Sequence, residues 1–188
     1  IALKIKSLAY GNSGVQLQTV QRFVDMYNHN VLPVIFTQGS LGASGDLAPL
    51  SHLALPLIAE GVVKVDGSII AAAKALQHLG WQPINLQSKE GLALINGTQF
   101  MSAYGCYILI HATKLAKWAN TIAAISFDAF DCSTEPLNEF IHLVRSHKGQ
   151  LSAAAEMRNL LQSSEICGAK KSQVQDPYSF RCIPQVHG

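Results

Sequence analysis

The sequence predicts a mainly α-helical chain with one small β-hairpin, on three observations. Apolar residues recur at helical spacing through most of its 188 residues. From about Thr98 to Phe130 an Ala-, Ile- and Leu-rich run has almost no strong breaker after Gly105. The strongest hairpin signal is the single Asp66-Gly67 step between two short β-branched segments. The length suggests one globular domain, and 48% hydrophobic residues lie inside the range of folded proteins.

Each element has its own signal. Ile1 to Tyr10 and Val15 to Asn30 carry helical periodicity, as at Val20, Phe23, Val24 and Tyr27, with Gly11 to Gly14 as the break. Val31 to Phe36 is β-branched but interrupted by Pro33, which favours an extended connector or edge segment. A helix over Leu47 to Glu60 is capped by Asp46 or Ser44, kinked at Pro56 and stopped by Gly61. Val62 to Val65 and Ser68 to Ile70 flank the hairpin turn, and Ala71 to Leu79 reads as a helix with Gly80 at its C′ position. After a loop with Pro83 comes the long core helix, Thr98 to Phe130. Pro136 to His147, closed by Gly149, and Leu151 to Ser164 read as two further helices. Beyond Glu165 the periodicity is lost, and the tail reads as a polar, Pro-containing loop.

Composition excludes several functions. A formal net charge of +2 with scattered charges gives no basic stripe for nucleic acid. The uncharged stretch Gly91 to Thr113 is long enough to span a bilayer, but Asn96, Thr98, Gln99, Ser102 and His111 interrupt it, so a buried bundle helix explains it better. Cys106, Cys132, Cys167 and Cys182 form no C-x-x-C pair and fit a reduced, cytoplasmic compartment. The chain opens at Ile1 without a secretory pattern and reads as an excised piece. His29, His78, His111, His142, His147 and His187 show no convincing ligand spacing, so no metal site is expected.

The glycine-rich segment Gly39 to Asp46 is where the chemistry concentrates. It lacks the Lys and Ser/Thr that close a P-loop, and it lacks G-x-G-x-x-G. Gly42-Ala43-Ser44-Gly45 is not G-x-S-x-G either, and His52 reads as a helix-face histidine rather than a base. Ala43-Ser44-Gly45 is, however, a run of three very small residues. Such a backbone folds tightly enough for the Gly45 nitrogen to approach the Ala43 carbonyl carbon. Cyclisation with loss of two waters would then give an electrophilic methylidene-imidazolone, a reactivity the ordinary side chains lack. On those three residues alone an ordinary glycine-rich helix-start turn is the simpler reading.

The wider sequence changes that balance. Gly39 to Leu53, reading GSLGASGDLAPLSHL, closely resembles the signature of the histidine/phenylalanine ammonia-lyase family. Lys89 to Gln99 (KEGLALINGTQ) resembles its second block, and Gln175 to Cys182 (QDPYSFRC) with Pro184-Gln185-Val186 resembles its third. The three blocks stand in the family's order, and the resemblance covers essentially the whole chain. It implies a fragment, residues 1–188, of the family's central helical bundle, with the N- and C-terminal parts of the fold lying outside it.

By this resemblance Ala43, Ser44 and Gly45 form the electrophile and Asp46 assists the cyclisation. Asn96 matches the asparagine beside the prosthetic group and substrate carboxylate. Gln175, Tyr178 and Arg181 match the active-site polar groups of the third block, with Arg181 pairing with the substrate carboxylate and Tyr178 hydrogen-bonding near the electrophile. Taken singly, each also has a plainer explanation: Asn96 as a helix-start residue, Arg181 as a surface ion pair, Tyr178 as a packed loop aromatic. The implied activity is ammonia elimination from L-histidine to give urocanate, with no dissociable cofactor, in a homotetramer. The wording of the third block and Gln99 favour histidine; tyrosine or phenylalanine lyases and an aminomutase are the alternatives, and a non-catalytic helical assembly module is the alternative of another class. The family's base tyrosine lies upstream of the position matching Ile1, and pocket residues lie downstream of Gly188. The resemblance therefore implies that residues 1–188 alone are inactive or nearly so.

Overall fold

The computed structural model describes residues 1–43 and 45–188. Its contacts divide the chain into two compact units, Ile1–Tyr107 and Ile108–Gly188. Both are built mainly of helices, with one small sheet in the first.

The first unit begins with α1 (Ala2–Ala9) and α2 (Leu17–Asn28), which pack on one another. The segment with Pro33 is an edge strand, as its proline requires: β1 (Leu32–Pro33) pairs antiparallel with β2 (Val62–Val65). The three-stranded order β1-β2-β3, with β3 at Ser68–Ala71, thus adds one strand to the expected hairpin. At the tip Asp66 (φ 47°) and Gly67 (φ 81°) are both left-handed, the conformation a two-residue turn between twisted strands demands.

Between these strands α3 (Leu47–Ala54) runs into a 3-10 turn, Leu55–Ile58, where Pro56 removes a backbone donor. The left-handed Ala59 (φ 64°) ends that turn two residues before the expected stop at Gly61. Then follow α4 (Ala72–His78) and α5 (Glu90–Ile95), the latter packed against α3. Phe23, Met26, Leu50, Leu53, Leu57, Val63 and Leu94 fill the core of this unit.

The uncharged stretch expected to be one buried helix is two helices. Extended backbone at Asn96 and a positive φ at Gly97 separate α5 from α6 (Gln99–Ala129). Burial is corrected as well: Ile108, Leu109, Leu115, Trp118, Ile122 and Ile125 are exposed, and in α6 only Asn120, Ala124 and Phe127 are buried among the described residues. Its apolar residues occupy most faces, more than this chain covers.

In the second unit Pro136 to His147 is broken rather than continuous. A 3-10 turn at Glu135–Leu137 precedes α7 (Glu139–Leu143), whose start is capped by the Asn138 side chain accepting from the Phe140 N–H. Gly149 closes nothing; it lies in the first turn of α8 (Lys148–Leu161). The tail is not plain loop either. It holds α9 (Glu165–Gly168), capped by the Ser164 hydroxyl, then α10 (Tyr178–Arg181) and α11 (Ile183–His187), which packs on α8. Phe127, Leu137, Met157, Leu161, Cys167 and Ile183 make up this unit's core. Among the described residues no helix is long and apolar enough to cross a membrane.

Candidate active site

The turn before α3 is held from outside by the chain that follows α5. The Asp46 N–H donates to the Gly97 carbonyl at 3.0 Å, and Gly45 forms a parallel bridge with Gly97. Gly42 and Ala43 are bridged to Gly45 in turn, so the loop doubles back on itself. Gly45 adopts φ +84°, and a Cβ there would lie 2.4 Å from the Gly97 oxygen. A backbone carbonyl cannot yield to such an overlap, so only glycine fits position 45. Ser44 lies outside the described residues.

Asp46 occupies the N-cap position of α3 but does not cap it with its side chain. The fully buried carboxylate serves the other helix start: Oδ2 accepts from the Met101 N–H, in the first turn of α6, at 2.9 Å. A carboxylate there meets the positive end of the α6 dipole as well as an unpaired donor. Oδ1 is buried with no partner among the described residues. Asn96 is exposed, and its side-chain amide donates to the Leu92 carbonyl at 2.9 Å. His52 is half-buried on α3, edge-on to the Phe36 ring, with Nδ1 unpartnered among the described residues.

Two charged residues that the sequence reading passed over bracket α5. Lys4, only 1% exposed, donates through Nζ to the carbonyls of Ala93 and Asn96, both at 2.8 Å. Burial pushes its pKa down to about 8. At the other end Glu90, also 1% exposed, accepts four hydrogen bonds. The Gln16 N–H and Thr19 hydroxyl reach Oε1 at 2.8 and 2.7 Å; the Gln16 side-chain amide and Gln87 N–H reach Oε2 at 2.6 and 2.7 Å. Burial alone would raise this carboxyl's pKa, but the four donors outweigh it and hold it at about 2. Sequence gives one hint for Lys4: it stands four residues before the buried Leu8, on the same helix face.

The second unit gathers the third sequence block. Gln175 and Arg181 line one open groove of about 730 Å³, together with Lys170, Lys171, Ser133 and Cys182. The Arg181 guanidinium lies 5.1 Å from the centroid of the Tyr178 ring, a cation–π contact, while the exposed Tyr178 is not part of the groove wall. Arg181 Nε is buried without a partner among the described residues. Asp176, buried, ties this loop down by accepting from the Ser133 N–H at 2.8 Å and from the Gln173 amide at 3.2 Å. The structure thus brings Gly45, Asp46 and the Asn96-Gly97 step together in one unit, and Gln175, Tyr178 and Arg181 in the other.

All four cysteines are free thiols, and burial raises the Cys132 pKa to about 11. Among the described residues no group of three His, Cys, Asp or Glu side chains is disposed to hold a metal ion.

A family model described as aromatic amino acid lyase matches residues 1–188. The chain belongs to the aromatic amino acid lyase family. It is 47% identical over 189 residues to the histidine ammonia-lyase of Shouchella clausii, covering 100% of this chain and 38% of that protein. Among solved structures it resembles the histidine ammonia-lyase of Trypanosoma cruzi, with a TM-score of 0.85 and 43% identity over 100% of this chain and 34% of the other. It also resembles the tyrosine aminomutase of Streptomyces globisporus, with a TM-score of 0.82 and 35% identity over 98% of this chain and 38% of that one. The chain therefore spans well under half the length of the lyases it matches.

Proposed function

We infer that the intact protein is an ammonia-lyase that eliminates ammonia from L-histidine to give urocanate, using an electrophile made from its own Ala43-Ser44-Gly45. The observation that carries this reading is the left-handed Gly45, seated where a Cβ would lie 2.4 Å from the Gly97 carbonyl oxygen. A doubled-back turn of this kind suits attack of the Gly45 nitrogen on the Ala43 carbonyl carbon. As that bond forms, the Ala43 oxygen leaves as water with the amide hydrogens of Ser44 and Gly45. The Ser44 hydroxyl leaves as a second water with the Ser44 Cα hydrogen. No oxidant enters and none is reduced. The small side chains of the triplet and the buried carboxylate of Asp46 beside it fit the group. Once formed, the methylidene-imidazolone supplies electrophilic character that side chains lack.

The remaining residues bind and orient. Arg181 offers a planar guanidinium for bidentate pairing with the substrate carboxylate, already stacked on Tyr178 and with Nε unpartnered among the described residues. Gln175 shares its groove and adds an amide to the same end of the substrate. Tyr178 presents its hydroxyl as a donor, and Asn96 its amide. We assign histidine because the histidine ammonia-lyase of Shouchella clausii is 47% identical over the whole chain. The 35% identity to a tyrosine aminomutase supports a second reading, separable by a β-amino acid product. A homotetramer in the cytoplasm is consistent with the apolar residues exposed along α6 and with four free thiols. The test is the intact protein against its Ser44→Ala variant. The parent should be two waters lighter than its sequence and release urocanate and ammonia from histidine; the variant should do neither. An unmodified parent mass would overturn the reading.

A further inference from the structure

Two buried charged side chains, Lys4 and Glu90, have no role in the chemistry above, and both act on the same short helix. At six residues, α5 is too short to hold its shape by backbone hydrogen bonds alone. Glu90 fixes its first turn through four donors from the start of α2 and the preceding loop. Lys4 fixes its exit through the carbonyls of Ala93 and Asn96. The signs suit the helix: a carboxylate at the positive end of α5 and an ammonium at the negative end.

The exit is where this matters. The Asn96 carbonyl gripped by Lys4 and the Gly97 carbonyl that receives the Asp46 N–H belong to consecutive peptide units. Gly97 has φ +135°, a backbone conformation with little resistance of its own to rotation. The hydrogen-bonded path from Lys4 to Gly45 and Asp46 therefore runs through the Asn96 carbonyl and across that glycine. An ordinary core position could hold an apolar side chain of similar length with more stability than a buried cation. A lysine here spends its charge on position rather than packing.

We propose that Lys4 is a positioning residue for closure of the ring. By fixing the Asn96 carbonyl it holds the Gly97 carbonyl against Gly45, and so holds the Gly45 nitrogen where it closes onto the Ala43 carbonyl carbon with loss of the two waters described above. This rests on the reading that the triplet cyclises.

The experiment uses the full-length protein as parent, Lys4→Met, and a control, Leu76→Ala, in α4 at a position 2% exposed and outside α5. Freshly synthesised chains of each are followed from the onset of folding by the mass of the peptide spanning residues 43–45 and by the near-ultraviolet absorbance of the conjugated ring. Circular dichroism and the melting temperature report folding. Lys4→Met should fold and melt no lower than Leu76→Ala, yet close the ring about 10- to 100-fold more slowly than the parent, the loss expected when a reacting pair is misplaced by about 1 Å. Leu76→Ala should close it at the parent's rate. A modified parent with Lys4→Met closing equally fast overturns the proposal alone, as does Leu76→Ala slowing as much as Lys4→Met. A parent with an unmodified mass overturns the underlying reading and this proposal together.

Discussion

Glu90→Gln isolates what one buried carboxylate contributes to the fold around the turn. In the native state its four donors hold the pKa at about 2, against 4.5 for the unperturbed group. That difference corresponds to about 3 kcal/mol in favour of the ionised native state. Because the native pKa is the lower one, this stability is fully present above pH 4.5 and is lost as pH falls towards 2. The amide substitute keeps the shape but not the pairing. Its oxygen can serve the Gln16 N–H and Thr19 hydroxyl, leaving its NH₂ facing the Gln87 N–H and the Gln16 amide, donor against donor. Urea unfolding of both proteins, followed by circular dichroism, should show Glu90→Gln less stable by about 3 kcal/mol at pH 7, with the gap narrowing to about 1 kcal/mol near pH 3. A gap of the same size at both pH values would refute the electrostatic account, and one below about 1 kcal/mol at pH 7 would refute the importance of the four bonds.

Gly45→Ala combines a left-handed backbone with a methyl 2.4 Å from the Gly97 oxygen, so it should lower stability by at least about 2 kcal/mol and leave the chain mass unmodified; mass spectrometry and thermal melting check both. The Lys4 pKa of about 8, below its ordinary 10.5, means that the unfolded chain binds more protons between those values. Stability should therefore rise with pH across that window in the parent and lose this rise in Lys4→Met, as urea titrations at pH 7.5 and 10 would show. Arg181→Lys replaces a flat two-pronged donor by a point charge and should reduce kcat/KM for histidine about 10- to 100-fold, mostly through KM, in steady-state assays of the intact enzyme.

The parts of this fold that sequence made legible are those set by one local rule. Asp66-Gly67 announced its turn because both residues tolerate positive φ, and Pro33 announced an extended connector or edge segment because it cannot donate to a central strand. Where two rules competed, tertiary context chose. Gly149 looks like a stop, yet glycine is tolerated in a first helical turn. The tail after Glu165 looks like loop because its helices are only four or five residues long, held by a Ser164 cap and by packing on α8 rather than by periodicity. Asp46 reads in sequence as the cap of the helix that follows it, but the helix whose first turn its side chain serves starts 53 positions later in the chain, at Gln99. Lys4 and Lys6 stand on one short helix, and apart from the four-residue spacing of Lys4 from Leu8 it is the fold that separates the buried one from the other.

On the proposed cyclisation, the clasp between Gly45, Asp46 and Gly97 would make folding leave a permanent trace. Hydrogen bonds that shape the turn are reversible and vanish when the chain unfolds, whereas a ring closed by that shape is covalent and stays. A chain that has once been native would thus remain distinguishable, after complete denaturation, from one that never was. In a mixed population the mass of this single loop would then count past successes of folding, a history that spectroscopy of the present state does not record.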